Sequence, residues 1–219
     1  MRLFGLASVL TTFILAMPAA QNLSRPSALE LATLVQAHYS TVRQFTADFT
    51  QSQKTSLMPR PRMDRGSVAI KKPLKMRWAY TSSEKQEFIS DGVKFYSVFP
   101  QGKYFLESRL PSEQEQSTWL LFLAGRGDLT RDFTPSLPPD QPSSQEWRLL
   151  LKPIAGRVAN LETLTLEVDR TSYQFRGLIV VDEQGGTNAY RFINVQENRR
   201  INERLFVFEP PRGYQLMRD

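Results

Sequence analysis

Few residues in this chain could do covalent chemistry. The 219 residues include no cysteine and a single histidine, His38. Thiol nucleophiles, thiolate metal sites, disulfides and cysteine lipidation are therefore excluded. Histidine-based metal clusters and histidine-dependent triads lack their central group. No phosphate-binding loop, serine-nucleophile elbow, zinc-protease helix or calcium-loop pattern occurs. What remains is a scatter of carboxylates, Glu107, Asp128, Asp132 and Asp182, near turns and strand ends. Two of them facing each other would make a glycosidase-like pair, which is the enzymatic alternative. The leading expectation is a binding protein with no enzymatic activity, no cofactor and no metal.

Chemistry for holding apolar matter is better represented. Leu74, Met76, Trp78 and Tyr80 alternate with Lys75, Arg77 and Ala79. That period of two predicts a strand with an apolar interior face and a cationic exterior. Phe49, Phe95, Phe105, Trp147, Phe175, Phe192, Phe206 and Phe208 supply further large groups. Such residues either fill a core or line a barrel too wide to fill. The run Trp119-Leu120-Leu121-Phe122-Leu123-Ala124, ended by Gly125 and Gly127, is apolar on every side and must be covered. It reads as a plug or lid over an apolar cavity. An acyl chain would suit such a cavity, because each buried methylene contributes roughly 0.8 kcal/mol.

The elements that would position these groups are legible in outline. Residues 1–20 carry Arg2, an uncharged apolar run from Leu3 to Met17 and then Pro18-Ala19-Ala20. This is the pattern of a cleaved secretory signal peptide, leaving a mature chain of residues 21–219. The basic excess, +6 overall, then faces lipid headgroups or protein surfaces rather than nucleic acid. Ser27 and Glu30 form a capping box at the start of a helix, with an apolar stripe read through Leu31, Leu34, Val35, His38 and Val42. His38 reads as a packed or half-exposed helix residue. After it the period changes to two. Strands are predicted around Phe45–Phe49, Val68–Ile70, Leu74–Tyr80, Gln86–Ser90, Val93–Phe99 and Tyr104–Ser108. Further strands are predicted at Trp147–Leu151, Leu161–Asp169, Phe175–Asp182, Thr187–Val195 and Phe206–Phe208. Thr55–Asp64 and the Pro/Ser-rich Thr134–Glu146 are expected to be loops. Leu129 and Phe133 suggest one more helical turn. Short strands and tight turns predict an α+β, mainly β chain that curls into an antiparallel barrel or sandwich.

The order of several short motifs resembles the periplasmic outer-membrane lipoprotein carriers, the LolA family. The resemblance runs from about Leu34 to Tyr214. It rests on Phe45-Thr46-Ala47-Asp48-Phe49-Thr50-Gln51, Gly66 opening a strand, and Lys71-Lys72-Pro73 before Met76-Arg77-Trp78. Ile89-Ser90-Asp91-Gly92, Leu121-Phe122-Leu123-Ala124-Gly125, Asn198 and Phe206-Val207-Phe208-Glu209-Pro210-Pro211-Arg212-Gly213 complete it. It implies a single carrier domain over 21–219: an incomplete antiparallel barrel with a helical lid over an apolar cavity. It also implies a monomeric periplasmic chaperone. Such a chaperone takes acylated lipoproteins from an inner-membrane ABC transporter and delivers them to an outer-membrane receptor lipoprotein. Phe49, Met76, Trp78, Phe95, Trp119, Leu120 and Leu123 fall where the family lines its cavity.

Two departures from the family stand out. The family carries arginine before the proline where this chain has Lys72, and that arginine hydrogen-bonds to the lid and regulates closure. If strand pairing ran unbroken through Pro73, Lys72 would share the apolar face of Met76 and Trp78. Its ammonium would then suit the carbonyls ending the Trp119–Ala124 helix, as a looser latch than arginine's planar fork gives. The C-terminus is also short, which bears on transporter engagement. Other functions on the same fold are a carrier of another acylated molecule, such as a glycolipid, and a regulator that senses mislocalised lipoproteins. The late basic residues Arg199, Arg200, Arg204, Arg212 and Arg218 read as a docking face or as a solvated surface.

Overall fold

The structure is a computed structural model that describes residues 25–82, 84–110, 127–142 and 144–217. The expected signal peptide and the Trp119–Ala124 helix lie outside the described residues. Helix α1 (Ala28–Thr41) opens the described chain. Its capping box is formed as the sequence predicts, with Glu30 N–H donating to Ser27 Oγ and Ser27 N–H donating to the Glu30 carboxylate. Six strands follow: β1 (Gln44–Lys54), β2 (Arg62–Lys71), β3 (Lys75–Tyr80), β4 (Glu87–Asp91), β5 (Lys94–Phe99) and β6 (Tyr104–Arg109). A short helix, α2 (Leu129–Asp132), leads into β7 (Phe133–Ser136), β8 (Glu146–Pro153), β9 (Thr163–Asp169), β10 (Phe175–Val181) and β11 (Thr187–Glu197). A 3₁₀ turn (Glu203–Phe206) and β12 (Gln215–Met217) end it.

All twelve strands form one open sheet in the order β12-β6-β5-β4-β3-β2-β1-β11-β10-β9-β8-β7. Every pairing is antiparallel except β12 on β6, which is parallel. The sheet is strongly rolled, and the aromatic rings show it. Trp78 on β3 and Tyr190 on β11 lie three strands apart in the sheet order. In a flat sheet that separation is about 14 Å or more, yet their ring centroids are 5.5 Å apart.

One register row explains how the roll closes so tightly. Phe49 pairs with Gly66, and Gly66 pairs with Tyr80. With no side chain on the middle strand, the rings of Phe49 and Tyr80 meet across it at 5.1 Å. A Cβ at Gly66 would lie 2.8 Å from Phe49 Cζ and would overlap the Ala79 carbonyl oxygen.

Helix α1 packs on the inner face. Its buried stripe is Leu31, Ala32, Val35 and Tyr39, followed by Val42. Tyr39 meets Phe175 on β10 at 4.8 Å. This corrects the stripe expected from sequence at Leu34, which is exposed, whereas His38 is half-buried as its reading allowed. A period of 3.6 accommodates either row of residues, and only the shape of the sheet beneath selects one.

The other strands follow the alternation, with three differences. Phe206–Phe208 is not a strand. Both edges of β3, β4 and β5 are already paired, so the chain after β11 crosses the outer face instead. Phe206 there packs with Ala69 and Ile201. Phe208 and Tyr214 cover Ile89, Tyr96, Val98 and Phe105. The start of the expected loop Thr134–Glu146 is part of β7, where Pro135 is tolerated because β7 is an edge strand. The expected loop Thr55–Asp64 ends earlier, since β2 already begins at Arg62.

Gly66→Ala should destabilise the fold by about 1–3 kcal/mol through overpacking, because the nearest obstacle is backbone and cannot rotate away. Urea unfolding of the two proteins checks this. Equal midpoints would show that β2 and β3 have room for a methyl at this row.

Candidate functional site

The inner face of the roll is a continuous aromatic wall. Phe45, Phe49, Trp78, Tyr80, Tyr190 and Phe192 are buried there. Phe49 lies against Trp78 at 5.1 Å, Trp78 against Phe192 at 6.3 Å and Phe45 against Phe192 at 5.8 Å. From Tyr80 the contacts continue to Phe88 at 6.0 Å and on to Phe95, stacked at 6.2 Å. Burial falls along this path, since Phe88 and Phe95 are only half-buried. The alternation of each strand places these rings, because every second residue faces inward.

Polar groups close one end of the wall. Gln51 donates to Asn188 Oδ1 at 2.8 Å. Buried Asp64 accepts from Arg62 Nε at 2.8 Å and from the Ser82 hydroxyl at 2.6 Å. The Tyr80 and Tyr190 hydroxyls hydrogen-bond to each other, and burial pushes both phenols up. They therefore stay neutral at physiological pH, and the aromatic wall carries no charge of its own.

Lys72 sits at the C-terminal end of α1. It does not continue the inward row of β3, because pairing stops at Lys71 opposite Lys75 and Leu74 takes a left-handed φ of 63°. Its Nζ donates to the Tyr39 carbonyl at 2.5 Å and stands 3.6 Å from the Tyr39 ring centroid. A cation at a helix C-terminus and over an aromatic face is favoured on both counts. Burial lowers the Lys72 pKa to about 8, with the nearby Glu197 carboxylate opposing that shift. Glu197 also faces His38 Nε2 at 3.2 Å.

The loop carrying Lys72 is tied on both sides. Lys72 N–H donates to the Arg43 carbonyl, and the buried Ser90 hydroxyl donates to the Leu74 carbonyl at 2.7 Å. Asn198 accepts from Arg43 N–H at 2.7 Å and donates to the Thr41 carbonyl. Thus, of two positions in the motifs read from sequence, Asn198 ties down the end of α1 and Ser90 holds the loop that carries Lys72 to β4.

Of the site residues expected from sequence, Phe49, Met76 and Trp78 come together in the buried part of the inner face, and Phe95 lies at its half-buried end. Trp119, Leu120 and Leu123 lie outside the described residues. Lys72 meets the C-terminus of α1, and its expected contact with the Trp119–Ala124 helix lies outside the described residues. Sequence reasoning missed Tyr39, Tyr190 and Glu197. Tyr190 was detectable from its period-two spacing to Phe192, and Tyr39 from its spacing of four to Val35.

The catalytic alternative finds no geometry in its favour. Glu107 pairs with Lys94, Asp128 caps α2, Asp132 binds Arg131, and Asp182 accepts from the turn amides of Gln184 and Gly186. Each is committed to a cap, a turn or an ion pair. Among the described residues no group of three or more acidic, histidine or cysteine side chains could hold a metal ion.

The comparisons with known proteins agree with the fold. The family model described as outer membrane lipoprotein carrier protein LolA matches residues 40–209. An outer-membrane lipoprotein carrier protein from Legionella pneumophila is 24% identical over 191 residues, covering 85% of this chain and 89% of the relative. One from Methylococcus capsulatus is 28% identical over 178 residues, covering 81% and 82%. Among solved structures, an uncharacterized conserved protein from Thermus thermophilus superposes with a TM-score of 0.53. It shares 13% identity and covers 88% of this chain and 99% of that one. Since the family model spans most of its length, this chain belongs to the LolA family of outer membrane lipoprotein carriers.

Proposed function

We propose that this protein carries the acyl chains of lipoproteins on the inner face of its rolled sheet and moves them across the periplasm. The observation that carries the reading is the uncharged aromatic wall. It runs without a break from buried Phe49 and Trp78 to half-buried Phe88 and Phe95, inside a sheet that stays open. Such a wall offers dispersion and burial without hydrogen bonds, which is what a hydrocarbon chain needs. At roughly 0.8 kcal/mol per buried methylene, a chain of ordinary length contributes enough free energy to displace covering segments of the protein. On this reading the Trp119–Leu123 run covers the wall when it is empty, the donor is an inner-membrane ABC transporter and the acceptor is an outer-membrane receptor. Among the described residues no helix is long and apolar enough to cross a membrane.

Lys72 enters the same reading as the clamp on α1. Where the family has an arginine that stays charged, this chain has an ammonium whose burial brings its titration near pH 8. The clamp is therefore weaker and titratable.

Adding residues 21–219 to spheroplasts should release newly made lipoproteins into the soluble fraction in complex with the protein. Phe95→Asp should reduce that release at least tenfold while leaving the circular dichroism spectrum unchanged, because it puts a charge on the open part of the wall. Release by the variant equal to the parent would remove the inner face as the acyl site. Uptake of an acyl probe without lipoprotein release would point to another lipid as cargo.

A second expectation concerns pH. Folding lowers the Lys72 pKa from 10.5 to about 8. Between those values the unfolded chain holds a proton that the folded chain has released, so the Lys72 contribution to stability rises with pH. Lys72→Met should remove that rise, and its stability relative to the parent should fall as pH goes from about 7.5 to 10. Parallel urea-unfolding profiles over this range would show that the ammonium is not desolvated by folding.

A further inference from the structure

We propose that a second cleft, at the amino end of α1, binds an organophosphate anion that carries an apolar body. This proposal does not rest on the carrier reading. The cleft has a volume of about 530 Å³, within the range of small-ligand pockets. It lies between Arg25 and Pro26 before α1, Leu34 on α1, and Trp147, Arg170 and Tyr173 from β8 and the β9–β10 turn.

The cationic half of the cleft is built by the sheet. The Arg170 guanidinium carbon stands 3.7 Å from the centroid of the Trp147 ring. Its Nε donates to the Glu146 carbonyl at 3.1 Å. Stacking and that one bond hold the guanidinium plane, and they leave its two terminal nitrogens free to donate together to one oxyanion. Arg25 contributes the second guanidinium, resting on the Pro138 carbonyl at 3.3 Å. Among the described residues neither arginine has a carboxylate partner and no acid lines the cleft.

The nearby acids are committed elsewhere. Glu146 pairs with Arg191, Asp140 with Arg148 and Glu30 with the Ser27 amide. Asp169 accepts from the amides of Thr171 and Ser172 and from Arg176, and the turn amides hold its pKa down to about 2. That turn also keeps Tyr173 at a φ of 58°, a left-handed conformation that costs free energy for a bulky residue. The same turn presents Arg170, Thr171 and Tyr173 to one space.

The apolar half is Trp147, Tyr173, Leu34 and Pro26. Two guanidinium groups lining one cleft favour a phosphate, whose several oxygens can accept from more than one donor pair, over a single planar carboxylate. The aromatic and proline walls favour a phosphate bearing an acyl or other apolar substituent, as in a phospholipid headgroup region.

Calorimetry with monomeric dihexanoylphosphatidylglycerol tests this, with glycerol phosphate, inorganic phosphate and hexanoate in parallel. The phospholipid should bind at least tenfold more tightly than the other three. Arg170→Gln and Arg25→Gln should each weaken it at least tenfold, while Phe95→Asp, on the inner face, should leave it unchanged. Equal binding by the arginine variants and the parent overturns the site. Loss of binding in Phe95→Asp alone places the probe on the inner face and overturns it as well. Hexanoate binding as tightly as the phospholipid overturns the phosphate assignment. Inorganic or glycerol phosphate binding as tightly, with the same arginine dependence, overturns the apolar half.

Discussion

Phe49 and Tyr80 touch across a strand that contributes no side chain between them. That contact fixes how far the sheet can roll. A glycine at the middle of the row brings β1 and β3 together over β2, and the same curvature brings Trp78 within reach of Tyr190 three strands away. Without it the aromatic residues of β1, β3 and β11 would stand on a broader and shallower surface. The inner face would then have no reason to be both densely aromatic and open at one end.

Rolling the sheet has a consequence on its other side. The outer face of β4, β5 and β6 carries Ile89, Tyr96, Val98 and Phe105, which solvent would otherwise reach. The segment after β11 crosses this face, seats Phe206 and Phe208, and then adds β12 to β6 in parallel. Arg77 on β3 donates to the Leu205 carbonyl at 3.2 Å and pairs with Glu87, which pins the crossing in place. The apolar residues of the strap therefore complete the wall from behind and add nothing to its inner face.

Charge is kept to the margins of this design. Tyr80 and Tyr190 are neutral through burial, Asp64 is bound by Arg62 and Ser82, and the outer face of β8, β9 and β11 is laced by Arg148, Glu167, Arg191 and Glu146. Lys72 is partly buried at a helix end, where a carbonyl and a ring receive it. A wall without charge suits the carrier role of the family. Family membership and the physical character of the face point the same way.

Much of this was legible in the residues alone. The alternation in Phe45–Phe49 and Leu74–Tyr80 and the capping box at Ser27 and Glu30 are local patterns, and local backbone geometry is enough to realise them. The order of the motifs also identified the family. What sequence left open depended on contacts between distant residues. Either of two helical rows could have been the buried stripe of α1, and the sheet beneath chose Leu31, Val35 and Tyr39. Phe206 and Phe208 alternate like a strand, but the edges available to them were already occupied. The partner of Lys72 lies 33 residues earlier in the chain. The three residues of β12 and the four of β7 carry no pattern of their own and become strands only through their neighbours. Sequence by itself determined the alternation, the caps and the lack of cysteine, because these are properties of single residues and short spacings. Tertiary structure alone decided the roll of the sheet, the face covered by the strap and the seat of Lys72, because each is set by which surfaces remain unpaired once the strands have associated.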